Sequence, residues 1–130
     1  MTTTTAAPPT METRIRELRE KRRVVELGGG ASRIEKQHAS GKLTARERIA
    51  LLADPDSFTE RNAFARHRCT DFGMGDKELP ADGVVTGSAA VDGRLVHLAS
   101  QDFTVAGGAA GEVHADKIVD MMKASLKTGS

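Results

Sequence analysis

The sequence has 130 residues, a length that suits one domain of ordinary size. Its 19 basic and 18 acidic side chains nearly cancel, which argues against a chain-wide electrostatic surface for nucleic acid. Trp and Tyr are absent and Phe occurs only four times, so the stacking surface that single-strand binders use is also missing. We therefore expect no nucleic-acid partner.

The cysteine count and the hydropathy pattern exclude two further classes of protein. Cys69 is the single cysteine, so no internal disulfide can form and no zinc site can be built from cysteine alone. We expect Cys69 to be a small buried or half-buried apolar side chain rather than a reactive thiol. No apolar run approaches the roughly 20 residues of a membrane helix, and residues 1–10 lack the features of a secretory signal. The sequence therefore predicts no membrane segment and a cytoplasmic location.

The first part of the chain predicts a tail followed by helices. Residues 1–10 are of low complexity and are expected to be disordered. Apolar residues at helical spacing predict a helix over 11–27, which Gly28-Gly29-Gly30 ends. A second, short helix is expected over 31–40.

A third helix is predicted from its start and stop signals. Thr44 and Glu47 have the spacing of a capping box, and Asp54-Pro55 ends the helix because proline disfavours helical backbone in the residue before it. We take residues 11–56 as one N-terminal helical segment.

The second part of the chain predicts strands. Residues 57–64 form a short strand, and a polar connection follows to Ala81. Two strand-like runs, 83–91 and 94–103, are separated by Asp92-Gly93, which predicts a β-hairpin. The second run is apolar on both faces apart from His97, which is typical of an interior strand.

The richest stretch is 100–118, which predicts a strand, a glycine-rich turn and the start of a helix. A final helix is expected over 112–127, with an apolar face made by five residues: Val113, Ile118, Met121, Met122 and Leu126. Unpaired N–H groups at its start can hold an anionic or carbonyl oxygen. The order of elements predicts an α/β layer structure whose sheet needs more strands than this chain supplies. We therefore expect an N-terminal fragment or dependence on a partner chain.

Five ordered blocks resemble one enzyme family: 33–49, 57–74, 82–87, 93–94 and 100–118. Over residues 11–129 the sequence resembles the carboxyltransferase (beta) subunits of biotin-dependent acyl-CoA carboxylases, such as propionyl-CoA and acetyl-CoA carboxylases. The resemblance implies a crotonase (ClpP)-like fold of β-β-α layers. Residues 57–130 would then be an incomplete N-terminal part of the first carboxyltransferase domain, preceded by helices.

The same resemblance implies an activity and a set of partners. The expected reaction transfers carboxylate from carboxybiotin, held on a separate carrier domain, to the α-carbon of propionyl-CoA or acetyl-CoA, with no metal in this subunit. Expected partners are acyl-CoA, a biotin carboxylase or biotin carrier subunit, and further copies in a homo-oligomer. Two alternatives stay open: a biotin-dependent methylmalonyl-CoA decarboxylase subunit, and a non-catalytic assembly fragment.

No catalytic residue is assigned, because the family's oxyanion donors lie in glycine-rich turns beyond residue 130. Ala109 also stands where the family commonly has serine. Six residues are candidates for acyl-CoA binding: Gly107, Gly108, Gly111, Lys42, Arg46 and Arg48. The glycines either approach the ligand or only permit a tight turn, and the basic residues either meet CoA phosphates or form a solvated helix face.

The histidines have structural interpretations. We expect His97 to be a hydrogen-bonded core residue and His114 to be a surface or interface residue in the first turn of the last helix. Asp102 and Glu112 lie near the glycine turn, but nothing pairs them for acid–base chemistry.

Overall fold

The computed structural model describes residues 8–130. Along the chain, three helices precede a small sheet and one helix follows it. Residues 1–7 of the predicted tail lie outside the described residues. The elements, in chain order, are α1 (Met11–Glu26), α2 (Ala31–Ala39), α3 (Ala45–Leu52), β1 (Thr59–Arg61), β2 (Val84–Val91), β3 (Arg94–Gln101) and α4 (Glu112–Thr128). The predicted α/β class and the predicted order of elements are confirmed.

The N-terminal helices begin and end at the residues that carry the local signals. Thr10 caps α1 by accepting a hydrogen bond from the Thr13 N–H, and Gly28 follows the helix with a φ of 51°. At α3 the capping box is complete. The Thr44 N–H donates to Glu47 Oε2 at 2.7 Å, and the Glu47 N–H donates to Thr44 Oγ1 at 3.3 Å. These short-range bonds explain why the sequence predicted the helix boundaries well.

The three strands form one antiparallel sheet in the order β1-β2-β3. The predicted hairpin is confirmed: Val84 pairs with Gln101 and Val91 pairs with Arg94. The Asp54 carboxylate anchors the hairpin turn by accepting the N–H groups of residues 92 and 93 at 3.0 and 2.9 Å.

The interior position predicted for β3 stays a prediction, because the predicted sheet includes strands beyond the three that the structure describes. Within the described residues β2 is the central strand, and β3 lies at an edge with Leu95 half exposed. An apolar run on both faces does not separate an interior strand from an edge strand that is covered by a helix on each face.

Helices α3 and α4 cover opposite faces of the sheet. Side chains of a strand alternate between its faces. Leu98 and Ser100 of β3 contact α3, whereas His97 and Gln101 contact α4. A small apolar cluster lies under α3, formed by Ala45, Ile49 and Val85 with Phe58 and Leu98 packed against them.

The buried face of α4 differs from the predicted one. Val113 and Met121 are buried as expected, but Met122 and Leu126 are exposed, and His114 and Lys117 are buried instead. The buried face of the helix therefore carries two polar side chains, and part of its apolar stripe is exposed among the described residues.

The connection between β1 and β2 runs over the surface. Cys69 lies in this connection and is exposed, so its predicted burial was wrong. Two short 3-10 segments, Asp71–Asp76 and Pro80–Gly83, give the connection its local order. Among the described residues, no helix is long and apolar enough to cross a bilayer.

Candidate functional site

The predicted glycine turn connects β3 to α4. The Asp102 carboxylate opens the turn, since its Oδ1 accepts from the Thr104 N–H at 2.9 Å and from the Thr104 hydroxyl at 2.6 Å. A single 3-10 segment, Ala106–Gly108, follows. Gly107 and Gly108 have φ angles of 65° and 74°, which side chains with a Cβ adopt at a cost. The turn therefore needs glycine for its conformation, whatever it binds.

The turn presents free backbone donors to solvent. Residues 109–112 are exposed. Within residues 8–130, the N–H groups of Ala110, Gly111 and Glu112 have no acceptor. These amides precede the first hydrogen-bonded turn of α4, where the helix dipole favours negative charge. The start of α4 can therefore hold a carbonyl or anionic oxygen of a ligand.

A carboxylate of the protein accepts the N–H group of His114, the third residue of the same helix. Asp82 Oδ2 accepts the His114 N–H at 2.8 Å, so this amide is not available to a ligand. Asp82 lies 32 positions before His114, so no local pattern in the sequence marks this cap. The free donors that face solvent therefore lie before His114, at the exposed residues Ala110, Gly111 and Glu112.

His114 is fully buried, so its predicted surface position was wrong. Its Nδ1 lies 2.8 Å from the carbonyl oxygen of Asp82, which can only accept, so Nδ1 carries the proton. Nε2 then accepts from the Gln101 side-chain amide at 3.1 Å. Both ring nitrogens are satisfied inside the protein, and His114 has no position from which to act on a substrate.

Lys117 is the second buried polar residue of α4. Its ammonium group donates to the carbonyl oxygens of Ala81, at 2.7 Å, and Val84. Burial lowers the pKa of Lys117 to about 8, although the carboxylates of Glu60 and Asp82 favour the charged form. The sequence gives no signal that Lys117 is buried and bonded to backbone carbonyl oxygens, because a single lysine in a helical pattern is usually on the surface.

The three basic candidates lie in different environments. Arg46 makes two hydrogen bonds to the Glu60 carboxylate, at 2.7 and 2.9 Å, so its guanidinium group is engaged within the protein. Lys42 Nζ lies 5.8 Å from the centre of the Phe103 ring, next to the glycine turn. Arg48 is exposed on α3. The structure thus places Lys42 near the Phe103 ring, which in turn lies against Gly108, and the assignment of all six candidates to acyl-CoA stays a prediction.

The start of α2 holds the other side of the glycine turn. The Gly29 N–H donates to Thr104 Oγ1 at 3.0 Å, and Arg33 Nη1 donates to the Thr104 carbonyl oxygen at 3.2 Å. A Cβ on Gly29 would lie 1.8 Å from that carbonyl oxygen, so only glycine fits this contact. We call these contacts of Gly29 and Arg33 with Thr104 the α2 clasp. It joins the N-terminal helices to the candidate site.

The remaining candidates have no catalytic arrangement. The predicted hydrogen bonding of His97 is confirmed, with Nδ1 2.9 Å from the Ser88 hydroxyl and Nε2 3.1 Å from the Thr128 hydroxyl, but the residue is half buried rather than in the core. A cleft of about 880 Å³ separates α1 from the surface connection and is partly lined by Leu18, Val24 and Phe64. Among the described residues, no three His, Cys, Asp or Glu side chains are grouped so that they could hold a metal ion.

Comparisons with known proteins identify the family. A family model described as the carboxyl transferase domain matches residues 36–130. The methylmalonyl-CoA decarboxylase subunit alpha of Propionigenium modestum is 56% identical over 117 residues, which are 90% of this chain and 23% of that protein. The human propionyl-CoA carboxylase beta chain is 53% identical over 115 residues, which are 87% of this chain and 21% of that protein.

A solved structure agrees with these sequence matches. The transcarboxylase 12S structure, crystallised as a hexamer with methylmalonyl-CoA and methylmalonic acid bound, superposes with a TM-score of 0.93 at 55% identity. The superposition covers 95% of this chain and 24% of that one. The predicted crotonase-like carboxyltransferase fold is confirmed, and the chain spans about a quarter of the length of the relatives it matches. This chain belongs to the carboxyl transferase domain family.

Proposed function

We propose that the protein containing this chain is the carboxyltransferase subunit of a biotin-dependent acyl-CoA carboxylase. It transfers a carboxyl group between carboxybiotin, held on a separate carrier, and the α-carbon of propionyl-CoA or acetyl-CoA. The observation that carries the proposal is identity of more than 50% to a propionyl-CoA carboxylase beta chain and to transcarboxylase 12S, which was crystallised with a CoA ester.

The role proposed for this chain is to bind the CoA ester rather than to catalyse the reaction. The exposed amides of residues 110–112 supply donors for an oxygen of the ligand, and Lys42, whose Nζ lies 5.8 Å from the centre of the Phe103 ring, supplies positive charge for a CoA phosphate. Backbone donors suit this role because they are held by the fold and need little reorganisation when the ligand binds. We assign no described residue to biotin and none to proton transfer.

The proposal includes assembly with other chains. Transcarboxylase 12S forms a hexamer, and the outer edges of β1 and β3 are unpaired among the described residues. An unpaired strand edge needs a further strand or a cover. We propose that the complete polypeptide supplies that cover and forms an oligomer that works with a biotin carboxylase or biotin carrier subunit.

The direct test is carboxyl transfer by the polypeptide expressed from its complete reading frame. Purified protein is mixed with a carboxylated biotin carrier and propionyl-CoA or acetyl-CoA, and methylmalonyl-CoA or malonyl-CoA is measured. We expect product that depends on both substrates. If neither CoA ester gives product, although the protein is folded and the carrier is shown to be carboxylated, the proposal is refuted.

A second candidate is the reverse half-reaction in a decarboxylase. It is favoured by the 56% identity to a methylmalonyl-CoA decarboxylase subunit alpha. The two candidates differ in the free energy that drives the transfer, which comes from ATP in a carboxylase and from loss of CO2 in a decarboxylase. Purification of the native complex decides between them: a bound subunit with biotin carboxylase activity supports the first, and a complex that decarboxylates methylmalonyl-CoA without ATP supports the second.

A further inference from the structure

The ammonium group of Lys117 is hydrogen-bonded to backbone carbonyl oxygens only. It is 2% exposed and lies on the face of α4 that contacts the sheet. Its ammonium group donates to two carbonyl oxygens of the segment before β2, those of Ala81 and Val84. Hydrogen bonds from an ammonium group are stronger than those between neutral groups. The end of this side chain therefore holds one short piece of chain in place.

That piece of chain has an unfavourable backbone conformation. Ala81, Asp82 and Gly83 have consecutive φ angles of 53°, 48° and 70°. Residues with a Cβ in this region persist only where surrounding contacts determine their conformation. Here α4 supplies those contacts: Lys117 binds the carbonyl oxygens on both sides of the turn, and His114 binds Asp82 through its ring and its N–H. We call residues 81–84 the gripped turn.

The gripped turn in turn supports the glycine turn. The Gly83 carbonyl oxygen accepts the Asp102 N–H at 2.8 Å. A Cβ on Gly83 would lie 3.6 Å from Val105 O and Val105 Cγ1, which shows how closely the two turns pack. Asp102 then fixes Thr104 through two further hydrogen bonds. A continuous series of contacts therefore runs from the Lys117 ammonium group to the segment that precedes Gly107 and Gly108.

We propose that Lys117 is a positioning residue for acyl-CoA, which acts through the gripped turn to hold the glycine turn in its ligand-binding conformation. This inference rests on the proposed function, since it requires that the glycine turn contacts the CoA ester. Lys117 itself does not touch the substrate. It determines where the free amides of residues 110–112 lie.

The charge on Lys117 is set by groups from each element around it. Glu60 of β1 and Asp82 of the gripped turn favour the ammonium form, whereas Arg46 of α3 and burial disfavour it. His114 of α4 faces the same turn through its Nδ1 proton. With a pKa of about 8, Lys117 is charged at pH 7 and loses its charge-assisted bonds as the pH rises past 8. The affinity for acyl-CoA should therefore fall across that pH range.

The test uses the complete polypeptide in the carboxyl-transfer assay, with Lys117→Met and the control Lys123→Met. Met keeps an unbranched side chain and removes the ammonium donors, and Lys123 is an exposed lysine on the same helix. We expect Lys117→Met to raise KM for acyl-CoA about tenfold, because the gripped turn loses both ammonium hydrogen bonds and the glycine turn loses part of its support, with kcat within about twofold. Lys123→Met should leave both constants unchanged.

The pH profile separates positioning from a general loss of stability. KM for acyl-CoA in the wild type should rise between pH 7 and 9.5, whereas KM of Lys117→Met should be high and flat. Asp82→Asn removes a carboxylate that favours the ammonium form, so the rise should begin at lower pH in that variant.

The outcomes distinguish this inference from the proposed function. A wild-type protein without carboxyl transfer refutes the proposed function. The inference is overturned, and the proposed function is kept, if the wild type is active and Lys117→Met folds with the same KM as Lys123→Met. If Lys117→Met does not fold, the wild type and Asp82→Asn decide: a KM that is flat with pH in the wild type, or a rise at the same pH in both, overturns the inference.

Discussion

Substitution of Gly29 by alanine tests whether the α2 clasp joins the N-terminal helices to the glycine turn. The added Cβ would lie 1.8 Å from the Thr104 carbonyl oxygen, whereas real Cβ contacts essentially never fall under 3.0 Å. The start of α2 must therefore move away by more than about 1 Å. That movement takes the bonds from the Gly29 N–H and from Arg33, now 3.0 and 3.2 Å long, out of hydrogen-bonding range.

The loss can be estimated from the two bonds. One neutral hydrogen bond and one from a guanidinium group contribute about 3 kcal/mol together. Urea unfolding of the chain, followed by circular dichroism, should show this decrease in the free energy of unfolding for Gly29→Ala. Gly75→Ala is the matched control, because its Cβ would have Thr70 Cα as nearest neighbour at 3.9 Å. Equal stability of the two variants would refute the clasp.

Three further perturbations have expected outcomes. Thr44→Ala removes the side-chain acceptor of the α3 capping box and should lower the free energy of unfolding by about 1 kcal/mol in urea titrations, with Thr44→Ser close to the wild type. Arg46→Met leaves the part-buried Glu60 carboxylate without its partner and should cost about 2 kcal/mol by the same measurement, so a neutral effect would contradict a stabilising ion pair. The pKa of Lys117 falls from 10.5 to about 8 on burial, so the unfolded chain binds more protons between these pH values. The free energy of unfolding of the wild type minus that of Lys117→Met should therefore rise between pH 8 and 10.5, by up to about 3 kcal/mol. Urea unfolding of both proteins at about pH 7.5 and about pH 10 measures this difference, and a difference that falls or stays constant would contradict the reasoning.

Local patterns in the sequence predicted the parts of the fold that depend on neighbouring residues. The capping box at Thr44, the glycine stop after α1 and the Asp92-Gly93 turn are all made by groups within a few positions of one another. The strand, glycine turn and helix over 100–118 were also predicted, because glycine adopts a positive φ at little cost and Gly107 and Gly108 both have one.

Contacts between distant positions could not be predicted in this way. Asp82 and His114 are 32 positions apart, and their pairing reverses the expected exposure of the histidine. Lys117 resembles any surface lysine of an amphipathic helix until its two carbonyl partners are known. The apolar run of β3 predicts burial without identifying which strand is central. Tertiary partners, rather than local propensity, decide these features.

The central claim is that the glycine turn faces the CoA ester. Hydrogen–deuterium exchange of the complete polypeptide, with and without methylmalonyl-CoA, tests it most directly, because the amides of residues 110–112 are exposed and lack acceptors within the described chain. We predict slower exchange over 105–112 when the ligand is bound, with little change in the hairpin turn at residues 92–93. Ligand-dependent protection elsewhere in the protein with none over 105–112 would contradict the claim.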